Sequence, residues 1–292
     1  MIENFSFEPF TIRCGGRLLH YDRPAVMGIL NATPDSFYDG GRYMAEDQIV
    51  ARAEQMVAEG ADIIDIGVVS SRPGAVLLSP DDEARRLAAA VAAVRRRLPE
   101  AVLSVDTCFA LPARAAVEAG ADIVNDIGGG TFDGAMFDTV AALGVPYILM
   151  HNPFGSPNEP TGLHSIPDDA PADPTPQAIK DLSMLVASLR EKGVTDVIID
   201  PGFGFSKTLG QNYRLLARLG ELRSLFPTCP LLVALSRKTM IFRLLGTTPD
   251  DALAGTVALN AAALMQGAQL LRVHDVRQAR QTISVITELT IH

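Results

Sequence analysis

The sequence predicts an α/β protein of the (β/α)8 TIM-barrel class, a single domain with an N-terminal β-hairpin capping the barrel floor. Three observations favour this class. Short runs rich in Val, Ile and Leu alternate with amphipathic helical patterns. The runs are almost continuously apolar, which is typical of strands buried on both faces. Eight such units fit within 292 residues. A doubly wound open sheet is the alternative, because this rhythm alone does not show that a sheet closes.

The predicted elements follow one another with short turns between them. Residues 1–23 precede the first unit and are predicted to form the hairpin, with its turn at Cys14-Gly15-Gly16-Arg17. The barrel then occupies residues 24–292. The predicted strands are Ala25–Asn31, Asp62–Gly67, Val102–Thr107, Asp122–Ile127, Tyr147–His151, Val197–Pro201, Leu231–Ser236 and Leu270–Asp275. The clearest helical patterns are Ala45–Glu59, Pro80–Leu98, Leu111–Ala119, Pro176–Glu191, Asn212–Leu225 and Asp250–Gln266. One long irregular stretch, Asn152–Thr175, follows the fifth strand and is predicted to be a functional lid or a disordered loop.

Composition excludes some classes of protein. The formal net charge is −9 and the pI is about 5.0, whereas a general nucleic-acid binder carries a basic surface. Three cysteines, Cys14, Cys108 and Cys229, lack metal-ligand spacing and indicate a reducing compartment. The N-terminus shows no secretory signal, and no apolar run approaches the ~18 residues that cross a bilayer. We therefore expect a soluble cytoplasmic protein with no nucleic-acid or membrane partner.

Polar residues occur at the carboxyl end of nearly every predicted strand. In a parallel barrel these ends meet at one mouth, where active sites form. The alternative for any single residue is a helix cap or a turn. That alternative does not explain buried Asp and Asn inside the runs SVDT, IVND and IIDP. In chain order, the residues are Asn31, Asp65, Asp106, Asn125, His151, Asp200, Ser236, and Arg272 with His274.

Basic residues cluster in the last two units. Arg272 and His274 are two positions apart on one strand and therefore point to the same face. Arg237 and Lys238 directly follow Ser236, and the loops after strands seven and eight are the usual phosphate site of this fold. Four converging basic residues predict an oxyanion substrate. Alternatively, Arg272 pairs with an acidic neighbour and His274 is structural.

Asp106, Asn125 and Asp200 form a second polar group at the predicted mouth. Asp accepts paired hydrogen bonds from an amino-heterocycle, and Asn both donates and accepts. Together they suit a flat guanidine-like ring such as a pterin, although a structural network of buried carboxylates is the competing interpretation. Two loops, NATPDSFYDGG at 31–41 and VVSSRPGA at 68–75, are either ordinary turns or functional loops on a rigid barrel.

Several of these motifs resemble those of dihydropteroate synthases. GILNATPDSFYDGG and DIGVVSSRPGA resemble two family signatures, and SVDT, IVNDIGG, ILMH, DPGFGFSKT, LSRK and RVHDV follow in the family's order. The resemblance extends from about Pro24 to the C-terminus. It implies a homodimeric, Mg2+-dependent transferase of folate biosynthesis and a target of sulfonamides. Such an enzyme condenses 6-hydroxymethyl-7,8-dihydropterin pyrophosphate with p-aminobenzoate, giving 7,8-dihydropteroate and pyrophosphate.

The resemblance also implies roles for particular residues. The pterin ring would be contacted by Asp106, Asn125, Asp200, Lys238 and Arg272, the last by stacking. The pyrophosphate would be held by Asn31, Arg72, Arg272 and His274, with Asn31 as a Mg2+ ligand. The p-aminobenzoate would lie among Phe37, Ser71, Pro73, Phe205, Lys238 and Thr239. The catalytic group would comprise Asp35, Arg72, Lys238, Arg272 and His274.

Two segments depart from the family pattern. Val68-Val69-Ser70-Ser71 replaces Gly-Glu-Ser-Thr in the second loop, and Asn152-Pro153-Phe154-Gly155 follows His151 where Met-Arg-Gly is usual. Both departures leave the predicted anion and pterin positions intact. Two other functions therefore stay open beside the synthase: a catalytically silent pterin-binding paralogue and the pterin-binding domain of a methyltransferase.

Overall fold

The fold is an eight-stranded parallel barrel closed below by a hairpin. The structure is a computed structural model that describes residues 7–32, 41–69 and 78–291. The barrel strands lie in the order β8-β7-β6-β5-β4-β3-β10-β9. A parallel bridge between Ile199 and Leu231 joins β8 to the residue before β9, and the amide of Ile199 donates to the carbonyl of Pro230 at 2.9 Å. The sheet therefore closes on itself, which confirms the predicted barrel and excludes the open sheet.

After the hairpin, within the described residues, each barrel strand is followed by one helix, or by two helices after β8 and β9. The strands are β1 Phe10–Cys14, β2 Arg17–Tyr21, β3 Ala25–Asn31, β4 Ile63–Gly67, β5 Val102–Asp106, β6 Ile123–Asp126, β7 Tyr147–Met150, β8 Val197–Asp200, β9 Leu232–Val233 and β10 Leu270–Val273. The helices are α1 Gly41–Glu59, α2 Pro80–Arg97, α3 Ala110–Glu118, α4 Met136–Leu143, α5 Thr175–Glu191, α6 Leu209–Ala217, α7 Leu219–Leu225, α8 Thr239–Leu245, α9 Leu253–Met265 and α10 Val276–Ile291. Among these described helices, none is long and apolar enough to cross a membrane.

The N-terminal hairpin covers the barrel floor, as predicted. Strands β1 and β2 pair antiparallel, and the turn between them uses Gly15 and Gly16, both with positive φ. Phe10, Ile12 and Cys14 are buried in one cluster with the lowest inward-facing residues of the barrel strands. Because this cluster is apolar, it seals the barrel from below and leaves the opposite end as the open mouth.

Alternation along each strand separates an apolar floor from a polar layer above it. The floor cluster contains inward side chains from all eight barrel strands, including Ile63, Ile123, Ile198 and Leu270. Side chains on one face of a strand recur every second position. The next inward residue on each of those four strands therefore lies two positions further on, and in all four it is polar. These residues are Asp65, Asn125, Asp200 and Arg272, one from each of β4, β6, β8 and β10.

The predicted elements differ from the structure at several places. Helices α4, α8 and α10 were not among the predicted ones, and the single helix predicted over Asn212–Leu225 is two helices, α6 and α7. The chain turns at Arg218, whose φ of −113° and ψ of 18° interrupt the helix. The seventh barrel strand, predicted over Leu231–Ser236, is only two residues long, Leu232–Val233. The chain turns soon afterwards, where the amide of Lys238 donates to the carbonyl of Leu235 at 3.2 Å.

Candidate functional site

The candidate site lies at the mouth of the barrel, where polar side chains from five strands face one another. Asp65 is fully buried, Asn125 and Asp200 are nearly so, and Arg272 is 15% exposed. Asp106, at the end of β5, is 23% exposed. These groups are held by a rigid sheet, so their mutual geometry is set before any ligand binds.

Arg272 joins two of the carboxylates across the mouth. Its Nε lies 2.7 Å from Oδ2 of Asp65, and its Nη2 lies 2.5 Å from Oδ2 of Asp106. Asn125 donates from Nδ2 to the same Oδ2 of Asp65 at 3.0 Å. The structure therefore shows the acidic pairing of Arg272 that the sequence left open as an alternative. It also holds the guanidinium plane at the centre of the site.

Burial raises the pKa of two carboxyl groups at the mouth, those of Asp106 and Asp200. The pKa of Asp106 is raised by burial, against the opposing effect of Arg272, and nearby Asp65, Glu83 and Asp126 raise it further. The pKa of Asp200 is also raised by burial, opposed chiefly by Lys238. Hydrogen bonds to charged acceptors are stronger in such a low-dielectric environment than in water. The two groups are therefore suited to bind N–H donors of a ring.

The loops after β8 and β9 bring an aromatic ring and an ammonium group together. Lys238 donates from Nζ to the carbonyl of Phe203 at 2.5 Å, and the same nitrogen lies 4.7 Å from the centroid of the Phe205 ring. Burial lowers the pKa of Lys238 to about 8, opposed by Asp200. Asp200 itself accepts the amide of Gly202 at 2.8 Å. Thr239 begins helix α8 directly after Lys238.

His274 is held by Ser236 beside the mouth. Nδ1 of His274 lies 3.0 Å from Oγ of Ser236, which also accepts the backbone amide of His274 at 3.1 Å. The serine hydrogen is then available to Nδ1 in the tautomer of the imidazole that carries its proton on Nε2. Strands β10 and β3 are neighbours, so His274 and Arg272 lie next to the strand that ends at Asn31.

Arg237 does not join the predicted cluster of four basic residues. Its Nε and Nη2 pair with Asp275, each at 2.9 Å, and its Nη1 donates to the carbonyls of Pro249 and Asp250. The backbone at Arg237 has a φ of 54°, which fits a sharp turn after β9. Its role is therefore to hold the loop, and the predicted anion cluster is reduced to Lys238, Arg272 and His274.

His151 also lies elsewhere than its place at a strand end suggested. Its Nε2 lies 3.2 Å from Oδ2 of Asp181 on α5, outside the barrel. Tyr147, Leu149 and His151 share the outward face of β7 because strand side chains alternate. Burial lowers the pKa of His151 to about 4, so the imidazole is neutral at pH 7.

Some predicted site residues lie outside the described part of the chain. These are Asp35, Phe37, Ser71, Arg72 and Pro73. Two residues of the departing segment Val68-Val69-Ser70-Ser71 are described: Val68 is buried in the main core, and Val69 packs against it. The apolar substitutions in that loop thus extend the core at the end of β4.

Three residues near the mouth were not assigned a role from the sequence. Asp65 was noted only as a strand end. Lys207 is 2% exposed and donates from Nζ to the carbonyls of His151, Gly202 and Phe205 at 3.1–3.2 Å. Burial lowers the pKa of Lys207 to about 7. A lysine within the Gly- and Phe-rich run DPGFGFSKT was the available signal. Asn152, in the departing segment that follows His151, is the third.

Asn152 connects three loops at the mouth. Its Nδ2 donates to the carbonyls of Ile127 and Pro160 at 3.0 and 2.8 Å, and its Oδ1 accepts from Oγ of Ser206 at 2.6 Å. These partners belong to the loops after β6, β7 and β8. The segment that departs from Met-Arg-Gly therefore contributes a side chain that holds these three loops together.

The chemistry of Asn31 fits a magnesium ion. Within the described ranges, no group of three or more His, Cys, Asp or Glu residues has the geometry of a metal site. Mg2+ accepts amide and carboxylate oxygens and is commonly held by one or two protein ligands together with substrate phosphates. Asn31 supplies one such oxygen at the exposed end of β3, beside the strand that carries His274.

Comparisons with known proteins agree on one family. The model for the pterin binding enzyme family matches residues 27–274. The chain is 39% identical over 275 residues to the dihydropteroate synthase of Escherichia coli K12, covering 93% of each, and 38% identical over 279 residues to that of Streptococcus pyogenes serotype M3, covering 94% of this chain and 98% of the relative.

Solved structures agree with these relatives. The dihydropteroate synthase of Xanthomonas albilineans with 4-aminobenzoic acid has a TM-score of 0.85 at 37% identity, covering 97% of this chain and 98% of the other. The Yersinia pestis enzyme in complex with a sulfonamide drug has a TM-score of 0.84 at 38% identity, covering 96% of this chain and 98% of the other.

Proposed function

We propose a complete reaction for this chain, which belongs to the pterin binding enzyme family and, within it, to the dihydropteroate synthases. It is a transferase that condenses 6-hydroxymethyl-7,8-dihydropterin pyrophosphate with p-aminobenzoate, giving 7,8-dihydropteroate and pyrophosphate. The observation that carries this function is the polar group at the barrel mouth, in which Asn125 and Asp200 are buried and the partly exposed Asp106 pairs with Arg272.

The pterin ring is assigned to Asp106, Asn125, Asp200, Lys238 and Arg272. A pterin presents a row of N–H donors along one edge, and ionised carboxylates only accept hydrogen bonds. The burial of Asp200 supports this assignment because the carboxylate is removed from competing water. The guanidinium of Arg272 supplies a planar surface for stacking on the ring.

The pyrophosphate is assigned to Asn31, Arg72, Arg272 and His274. When the bond between the pterin CH2 group and the pyrophosphate oxygen breaks, electron donation from the ring stabilises the positive charge at carbon. Negative charge accumulates on the leaving group, where an Arg guanidinium and an imidazole N–H stabilise it. In the tautomer with its proton on Nε2, His274 accepts the Ser236 hydroxyl at Nδ1 and can donate from Nε2 to the leaving group.

The p-aminobenzoate is assigned to Phe37, Ser71, Pro73, Phe205 and Thr239, beside Lys238. Its arylamine is neutral at pH 7, so attack on the CH2 carbon needs no strong base. The ammonium of Lys238 beside the Phe205 ring can pair with the benzoate carboxylate, while the aromatic face packs on the benzene ring. Sulfonamides present a similar aniline and anionic end, and we expect them to compete for this pocket.

Mg2+, a homodimer and a cytoplasmic location are further parts of the proposal, as are a single domain and catalytic roles for Asp35 and Arg72. Bound by Asn31 and the pyrophosphate, Mg2+ would neutralise charge on the leaving group. Several exposed apolar side chains on α8 and α10 offer a surface that a second copy would cover, among them Leu244, Leu245, Val285 and Leu289. Three unpaired cysteines fit a reducing compartment.

A catalytically silent pterin-binding paralogue is the second candidate. The apolar pair Val68-Val69 favours it, because it removes the acidic residue usual in that loop. Such a protein would keep the pterin acceptors and lose turnover.

The deciding experiment incubates the purified chain with dihydropterin pyrophosphate and p-aminobenzoate, with Mg2+ or with EDTA, and quantifies dihydropteroate by chromatography. We expect product only with Mg2+. Tight pterin binding by calorimetry without product in either condition would reject the synthase and support the silent paralogue. A His274→Ala variant serves as the matched control, since it should lower product formation while retaining the fold.

A further inference from the structure

We propose that Asp65 is a positioning residue of this site: its carboxylate orients the Asn125 amide and the Arg272 guanidinium toward the pterin ring. The inference rests on the proposed function for the identity of the ligand. It concerns a residue that lies at the same depth as the pterin acceptors.

Asp65 lies at the centre of the polar layer. It is the third residue of β4, with Cα partners Ile29 on β3 and Ser104 on β5, and it is 0% exposed. One oxygen, Oδ2, accepts both Nδ2 of Asn125 at 3.0 Å and Nε of Arg272 at 2.7 Å. A single atom thus contacts side chains from β6 and β10.

The contact with Asn125 decides which way its amide points. An ionised carboxylate has acceptors only, so the NH2 end of Asn125 must face Asp65. The amide oxygen of Asn125 is then directed away from Asp65 and is available to a ligand N–H. Without the carboxylate, the amide can rotate by 180° and present a donor in place of an acceptor.

The contact with Arg272 holds the guanidinium at Nε, the nitrogen nearest the aliphatic part of the side chain. Nε is bound by Asp65 and Nη2 by Asp106, so two bonds on different nitrogens define the plane of the group. If a ring N–H takes up Asp106, the bond to Asp65 still holds Arg272 in place. Asp65 is therefore the partner that remains during ligand binding.

Stability offers no comparable reason for a carboxylate at this position. Two residues earlier on the same face, the inward residue is Ile63, and the layer there is wholly apolar. Among the described residues, Oδ1 of Asp65 is buried and makes no hydrogen bond. Burying an incompletely satisfied charge is unfavourable, and apolar residues often replace buried ion pairs without loss of stability. The observed contacts therefore point to orientation.

The test replaces Asp65 with Asn, which has nearly the same volume and lacks the charge. We expect kcat/KM for dihydropterin pyrophosphate to fall about 10- to 100-fold, in line with the loss of a charge-assisted hydrogen bond. The KM for p-aminobenzoate should change less than about twofold. Ser104→Ala is the matched control, since Ser104 is the in-register neighbour and its Oγ makes no hydrogen bond among the described residues. Equal losses toward both substrates, or a Ser104→Ala variant as impaired as Asp65→Asn, would overturn the proposal.

A double-mutant cycle and a pH series separate positioning from general damage. Asp65→Asn should weaken 6-hydroxymethylpterin binding strongly in the native background and only weakly in an Asn125→Ala background, because the two act through one contact. The charges around Asp106 are Arg272, which lowers its pKa, and Asp65, Glu83 and Asp126, which raise it. Removing the charge of Asp65 should therefore shift the acid limb of pterin binding to lower pH. Additive effects with an unshifted limb would reject the proposal.

Failure of the proposed function can be recognised separately. If the native chain binds the pterin and forms no product, the synthase assignment fails, while the calorimetric cycle still tests Asp65. If Asp65→Asn does not fold, Asp65→Ser replaces it in the same cycle. Asp65→Ser keeps an acceptor and removes the charge, so native-like pterin affinity in that variant would contradict the need for a carboxylate.

Discussion

Replacing Asp200 with Asn should weaken pterin binding without destabilising the protein. Asp200 is 4% exposed, and its Oδ1 accepts the amide of Gly202 at 2.8 Å. In the variant, the amide oxygen is retained by Gly202, so the NH2 group occupies the place of the second oxygen. A donor then faces the N–H donors of the ring. The loss is about two charge-assisted hydrogen bonds of ~1.5–3 kcal/mol each, or about 3–6 kcal/mol. At ~1.4 kcal/mol per decade, affinity falls about 10²- to 10⁴-fold.

The free energy of unfolding of the Asp200→Asn variant should be unchanged or higher than that of the native protein. Burial raises the pKa of Asp200, so the folded state binds the proton more tightly than the unfolded chain. At neutral pH the ionised carboxylate therefore opposes folding, and a neutral Asn removes that opposition. Loss of binding combined with an unchanged or higher Tm would distinguish a ligand contact from a folding defect.

The assay is calorimetric titration with 6-hydroxymethylpterin beside thermal unfolding of the same samples. Asp181→Asn is the control, because Asp181 pairs with His151 outside the barrel and should leave pterin affinity unchanged. A folded Asp200→Asn variant whose affinity changes less than about threefold would refute the assignment of Asp200 to the pterin edge.

Three other perturbations have defined outcomes. His274→Ala should weaken pyrophosphate binding about tenfold or more and leave 6-hydroxymethylpterin affinity intact; equal loss of both in calorimetry contradicts the assignment. Because the pKa of Lys207 falls from 10.5 to about 7, the unfolded chain holds more protons between those values, and stability should rise with pH there. Urea unfolding of Lys207→Met should lack that rise, and an unchanged slope would argue against a lowered pKa for Lys207 in the folded protein. Asn152→Ala should lower the free energy of unfolding by about 2–4 kcal/mol, since two carbonyls and Ser206 lose their partner; Ser183→Ala, at an exposed position of α5, serves as the control.

The fold could be predicted largely because alternation and strand ends are local properties. Each buried strand is visible as an apolar run, and eight strands of similar length leave few arrangements. The short helices α4 and α8 were missed because seven or eight residues carry little periodicity. Helix α10 was missed although its buried residues Val276, Ala279, Ile283 and Ile286 recur at helical spacing.

The site was predictable in its residues more than in their pairings. Asp106, Asn125, Asp200 and Arg272 do face one another, yet the partner of Arg272 that lies deepest, Asp65, is 207 positions away. No local pattern encodes such a pairing, because it depends on the radius of the closed barrel. His151 shows the opposite case: alternation from Tyr147 and Leu149 places it outside, and its position at a strand end concealed that signal.

The joint between β8 and β9 has a consequence for how the protein fluctuates. Neighbouring strands β7 and β8 share four registered pairs, whereas β8 meets the next strand through one bridge at Ile199 and Leu231. The bond from Lys238 to the carbonyl of Phe203 crosses the same joint above it. Local opening of the barrel should therefore occur first between β8 and β9, directly below the proposed p-aminobenzoate pocket. A ligand bound in that pocket would join the loops after the two strands and suppress this opening. Hydrogen exchange at the Ile199 amide should therefore slow on binding more than exchange at Ile64 on the opposite wall.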